Sequence, residues 1–185
     1  NEPDNKNTSS YGKQEPPNKV DLVLAMLPKA FAWAREGKPT QPLTSGVWQG
    51  DWSEHSKMSP MARIQIDLSD VVSFHNYEGP DKLEAAIQNL KRYKRPMLCT
   101  EYMARGNGST FQSSLPLLKK HNVAAINWGL VEGKAQTHLP WDSWQKPYVG
   151  REPSIWFHEV FRNNGAPYRD EEVALIRSST GRGKR

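Results

Sequence analysis

Two glutamates frame the chemistry open to this chain. Glu101 ends a short apolar run, 97–99, that reads as a buried strand, and a glycine-rich loop follows at 106–109. A carboxylate at the exit of a buried strand is out of place in a core and in place at a catalytic mouth. A second carboxylate, Glu2, lies at the start of the chain in Asn1-Glu2-Pro3. Together they have the composition of a two-carboxylate hydrolytic site, provided the elements between them bring the side chains face to face.

The elements that must do this follow from hydrophobic spacing. Residues 5–18 are polar with paired prolines and read as a loop. Val23, Met26, Leu27, Ala30, Phe31 and Ala34 then form the stripe of an amphipathic helix, which Pro28 weakens locally and Gly37 and Pro39 stop. A strand is expected over 43–48. A short helix at 64–68 and a strand at 71–74 come next, followed by a helix capped by Asp81 along Leu83, Ala86, Ile87 and Leu90, and a strand at 97–100. A helix capped by Ser109 or Ser113 through Leu115 to Lys120 leads to a strand at 124–128. Beyond lie a loop rich in Trp and Pro, a helix near 154–161 and a helical turn around 171–176.

Strand starts near positions 43, 71, 96 and 124 are 28, 25 and 28 residues apart, the length of one strand, one helix and two loops. Such alternation argues for an α/β fold with a parallel sheet. Counted back from the last strand of a TIM (β/α)8 barrel, the four become strands 5 to 8, and Asn1-Glu2 becomes the exit of strand 4. The chain then reads as the second half of the barrel, from the end of strand 4 through helix 8. Its N-terminal half would lie before Asn1.

Charge and cysteine narrow the classes. The net charge of +5 is concentrated at the end, where Arg177, Arg182, Lys184 and Arg185 leave about +1 for the rest. Residues 1–177 read as the partial barrel and 178–185 as a disordered basic tail, so no nucleic-acid partner is expected. No apolar stretch is long enough to cross a membrane. The one cysteine, Cys99, sits in an apolar run as an inert core thiol, without metal-ligand neighbours.

Active sites of such barrels gather at the carboxyl ends of the strands. There the sequence places Glu2, Trp48, His75, Asn76, Tyr77, Glu101 and Trp128. Hydrolysis of a glycosidic bond needs one carboxyl to protonate the leaving oxygen, another to attack the anomeric carbon, and aromatic faces against the sugar. The nucleophile must stay ionised, which calls for hydrogen-bond donors such as Tyr77. In a retaining scheme the two carboxyls stand about 5 to 5.5 Å apart.

Asn-Glu-Pro after strand 4, His-x-Tyr after strand 6, Glu after strand 7 and Trp after strand 8 resemble the retaining, cellulase-like glycoside hydrolases of clan A. The similarity is to bacterial cellulase-family and 1,4-β-xylanase-like chains, through Cys99-Thr100-Glu101-Tyr102-Met103-Ala104-Arg105, Gly108-Ser109-Thr110-Phe111, Asn127-Trp128-Gly129 and Pro140-Trp141-Asp142-Ser143. It runs from Asn1 to about Arg177. By that resemblance Glu2 is the acid/base, Glu101 the nucleophile, and Asn1 a partner of the sugar 2-hydroxyl. Tyr77 hydrogen-bonds the nucleophile, His75 supports the acid/base side, and Trp128 floors the subsite of the reacting sugar. Trp48 and Asn76 are further possible substrate contacts. The resemblance implies a β-linked carbohydrate substrate, no metal or organic cofactor, and a periplasmic or extracellular location. It also implies that strands 1 to 3, and an arginine beneath the nucleophile, belong to the missing half, so the isolated chain is expected to be inactive.

Two other readings stand beside this one. The loop 106–110 before a helix is where many barrels bind phosphate, which would fit an isomerase or aldolase acting on a phosphosugar. However, no lysine sits at a strand exit. Seven tryptophans also suit a non-catalytic carbohydrate-binding barrel. Trp141 and Trp144 are open between packing and sugar contact, and His55 and His138 are assigned no role.

Overall fold

A computed structural model of the chain describes residues 1–6 and 15–181. Most of the loop expected over 5–18 and the last four residues of the expected tail lie outside the described residues. The chain divides into two units, Asn1–His75 with Ala86–Leu98, and Asn76–Ala85 with Cys99–Arg185.

In the first unit, helix α1 (Lys19–Glu36) buries Val23 and Phe31 and carries Pro28 in its interior. It packs against α2 (Pro60–Leu68), which starts four residues before the expected position. Ser59 caps α2 by accepting from the Ala62 amide at 3.1 Å, and Pro60 occupies the first turn, where no amide donor is needed. Arg35 in the last turn of α1 donates to Asp70 at 3.0 Å and to the Leu68 carbonyl at 2.9 Å. The Arg35 bond, followed by the Leu43 amide, holds the Asp70 carboxyl below its usual range.

Strand β1 (Val72–His75) is buried along its whole length. Beside it the segment 43–48 forms one parallel bridge, Val47 to Phe74, rather than the expected strand. Side chains take the place of the ladder here. The Leu43 amide donates to the Asp70 carboxylate, the Ser45 amide to the Ser69 hydroxyl, and Gln65 donates to the Gly46 carbonyl at 2.7 Å.

Strand β2 (Met97–Glu101) is one residue longer than expected and ends on the glutamate itself. Its start accepts the Val72 amide at the Pro96 carbonyl, and its end accepts the Asn76 amide at the Glu101 carbonyl. With β3 (Ala124–Ala125) the strands form a three-stranded parallel sheet in the order β1-β2-β3. Helix α3 (Pro80–Leu90) connects β1 to β2, and Asp81 lies within its first turn, where it complements the helix dipole instead of capping.

In the second unit β3 is two residues long where five were expected, and both are exposed. Asn127 ends it: its side-chain amide donates to the Gly129 and His158 carbonyls, and Gly129, at φ +121°, turns the chain away. Helix α4 (Phe111–Lys120) is capped by Thr110, not by the expected serines. Thr110 accepts the Ser113 amide while Ser113 accepts the Thr110 amide. Helix α5 (Asp170–Ser179) packs against α4 and runs through Ser178 and Ser179, the start of the segment read as tail.

The helix expected at 154–161 does not form. Its backbone is spoken for elsewhere, because Arg105 donates to the Trp156 and Glu159 carbonyls at 3.0 Å each. Thr137 and His138 carbonyls accept the His158 and Phe157 amides. The Arg105 guanidinium also pairs with Glu172 on α5, with both side chains 1% exposed. Among the described residues, no helix is long and apolar enough to cross a membrane.

Candidate active site

The first unit supplies the acid/base candidate. His75 closes β1, buried, with its amide bonded to the Val47 carbonyl at 2.9 Å. Its ring Nδ1 meets Glu2 Oε1 at 2.7 Å, and Asn5 donates to the other Glu2 oxygen, also at 2.7 Å. Both carboxylate oxygens are therefore held. The Glu2 backbone has φ +39°, a left-handed conformation that costs a non-glycine residue about 1–2 kcal/mol. Glu2 and His75 are also metal-ligand types, and here their oxygen and nitrogen are bonded to one another. Asn1 is exposed. Trp48 is half-buried and donates its indole N–H to Asp4 at 2.8 Å, and Gln49 donates to the other Asp4 oxygen. Asp4 has no sequence signal of this role.

The second unit supplies the nucleophile candidate. Glu101, at the end of β2, accepts the Tyr77 hydroxyl at 2.8 Å. The Asn76 amide donates to the Glu101 carbonyl, while the Asn76 side chain closes its own turn by accepting from the Glu78 amide. Cys99 is fully buried, and burial pushes its thiol far above the ordinary range. It takes no nucleophilic part.

Tyr77 is packed edge-on against Trp141, ring centroids 5.0 Å apart, and against His158 at 5.5 Å. Trp128, 46% exposed, leans on the same imidazole at 4.9 Å. His158 is thus the residue around which the aromatic groups collect, and the sequence gives no sign of it. Its Nδ1–H donates to the Met103 carbonyl at 2.6 Å, and its Nε2 accepts the Trp141 indole N–H at 3.0 Å. An indole can only donate, so this arrangement requires neutral imidazole with Nε2 bare. Burial pushes the His158 pKa down to about 4, and the nearby Arg105 charge acts in the same direction.

The neighbouring Glu159 turns the other way. It accepts the Thr137 hydroxyl at 2.8 Å and meets His138 Nδ1 at 3.1 Å, giving His138 a partner the sequence did not assign. Gly129 makes room for this packing, since a Cβ there would lie 2.6 Å from the Thr137 hydroxyl.

The glycine-rich loop is occupied by its own fold. A Cβ on Gly106 would come within 2.0 Å of the Phe157 ring, so this glycine serves close packing. Ser109 is fully buried and donates to the Tyr102 carbonyl, and Thr110 caps α4.

Chemically, the first unit presents a carboxyl hydrogen-bonded to a buried imidazole. The second presents a carboxylate that accepts from a phenol, with one half-exposed indole packed on that phenol and a second on the His158 ring. No family model, no curated protein and no solved structure matches this chain.

Proposed function

We propose that the chain is the C-terminal half of a retaining glycoside hydrolase barrel that cleaves β-linked polysaccharide or oligosaccharide. The observation that supports this most is the 2.8 Å hydrogen bond from the Tyr77 hydroxyl to Glu101 at the exit of β2. A phenol donating to a strand-end carboxylate favours its ionised form and fixes its orientation, as a nucleophile requires.

In the proposed reaction Glu101 attacks the anomeric carbon while Glu2 gives its proton to the departing glycosidic oxygen. The C–O bond of the substrate breaks as a glycosyl ester to Glu101 forms. Glu2, now ionised, takes a proton from water, whose oxygen attacks the anomeric carbon and releases Glu101. His75, bonded to Glu2, orients that carboxyl and shares a proton with it through both steps. Trp128 faces the sugar.

The test uses the full-length protein, in which this chain follows the first half of the barrel that the proposal requires. Glu101→Gln is expected to lose at least about a thousandfold in kcat while still binding oligosaccharide. Glu2→Ala should retain turnover of aryl glycosides with acidic leaving groups, and added azide should yield the β-glycosyl azide. Unchanged turnover in Glu101→Gln would sink the assignment. Oligosaccharide binding without turnover in the wild type would instead mark a carbohydrate-binding barrel.

A further inference from the structure

We infer that Trp141 is a second substrate-contacting indole beside Trp128, held in position by His158, which fits the site to an oligosaccharide of at least two rings. The inference rests on the glycosidase reading and extends it to a substrate length and a positioning residue.

Trp141 opens a short 3-10 turn, Trp141–Trp144, after Pro140 and is 41% exposed. A tryptophan serving only the core of this unit looks different: Trp156 is fully buried and stacked flat on Tyr168 at 4.7 Å. Trp141 is left half open yet fixed. Its N–H is bonded to His158, and its ring meets Tyr77 and Phe157 edge-on at 5.0 and 5.5 Å. The ring therefore presents its open part in one orientation, with the ordering cost met before any ligand arrives.

Its position is tied to the chemistry. Tyr77, against which Trp141 packs, is the donor to Glu101. Trp128 and Trp141 both touch the His158 ring, at 4.9 and 5.8 Å, which limits their separation to the span of a disaccharide. Each indole covers about one pyranose. Flat C–H faces of equatorially substituted, β-linked pyranoses suit such surfaces, and axial hydroxyls would lift a ring away from them.

His158 does not reach the sugar; it acts through Trp141. With the Met103 carbonyl fixing the proton on Nδ1, the bare Nε2 is the acceptor that orients the indole. Glutamine has the donor and acceptor to imitate this, and alanine has neither.

The test compares an oligosaccharide with the aryl glycoside of its single sugar, in the full-length protein. Trp141→Ala is expected to lower the ratio of the two kcat/KM values about tenfold, the equivalent of one aromatic face, with the loss carried by KM. His158→Ala should show the same bias and move the Trp141 indole N–H resonance; His158→Gln should restore both. If Trp141→Ala proves poorly folded, Trp141→Phe keeps a stacking face without the N–H, and its ratio should fall less.

Equal losses on both substrates, or none, with the wild type active, would overturn this inference and leave the glycosidase reading intact. An inactive wild type whose Trp141 indole resonance shifts on adding oligosaccharide would overturn the glycosidase reading and support the contact. An inactive wild type with no such shift would overturn both.

Discussion

Glu172→Gln probes the contact that fixes the second unit. The Glu172 carboxylate accepts Arg105 Nε at 2.9 Å and Nη2 at 2.5 Å, with both side chains 1% exposed. Glutamine removes the charge and turns an N–H2 group toward a guanidinium that can only donate. Breaking one side of a buried pair leaves an uncompensated charge and costs about 3–5 kcal/mol, a large part of the roughly 5–15 kcal/mol of a whole domain. Replacing both residues by methionine removes the charge problem but leaves the Trp156 and Glu159 carbonyls without their donor. At about 1–3 kcal/mol for each such group, the double variant should still lose about 2 kcal/mol or more. Urea unfolding followed by tryptophan fluorescence reads both values from the midpoint, provided the slope is unchanged. A loss below about 0.5 kcal/mol for Glu172→Gln, the range of ordinary surface changes, or a neutral double variant would refute the claim that Arg105 organises this segment.

Three more outcomes follow from single contacts. His158 has its folded pKa lowered from 6.5 to about 4, so between those values the unfolded chain binds more protons and stability falls as pH falls; the group accounts for about 3 kcal/mol between pH 7 and 4. Urea midpoints across that range should therefore be flatter in His158→Gln than in the wild type, and parallel curves would contradict it. Tyr77→Phe removes the donor to Glu101, a bond to a charged group of about 1.5–3 kcal/mol, so kcat/KM should fall about 10- to 150-fold in steady-state assays, with an unchanged value counting against Tyr77. Gly106→Ala forces the Phe157 ring to move and should lower the urea midpoint by the equivalent of about 1–3 kcal/mol.

Periodicity made α3 and β2 legible, because each buries residues at one repeating interval; α1 forms where its stripe predicts, although of that stripe only Val23 and Phe31 are buried and Met26 is exposed. The Tyr77–Glu101 bond was expected from the resemblance, which implies a tyrosine donor to the strand-end carboxylate, and the Tyr77 hydroxyl does donate to Glu101 at 2.8 Å. Segment 43–48 misled because its apolar residues fit a strand while Asp70, Ser69 and Gln65 take up its polar backbone. Those partners lie 19 to 27 residues away and carry no local pattern. His158 was hidden in the same way, bonded to a carbonyl 55 residues earlier and an indole 17 residues earlier.

The absence of a helix at 154–161 explains how the His158 cluster can form. A helix would consume its carbonyls internally and leave the buried Arg105 charge with Glu172 alone. In the irregular backbone those carbonyls accept from outside the segment, and the guanidinium of Arg105, four residues beyond Glu101, donates to three of them. Successive side chains in such a backbone can then face opposite ways. His158 turns to Tyr77, Trp128 and Trp141, and Glu159 turns to Thr137 and His138. A helix would place these two neighbours about 100° apart and could not serve both clusters. The cost of leaving the segment without secondary structure is offset by one guanidinium, and that same guanidinium ties the His158 cluster to the chain that carries Glu101.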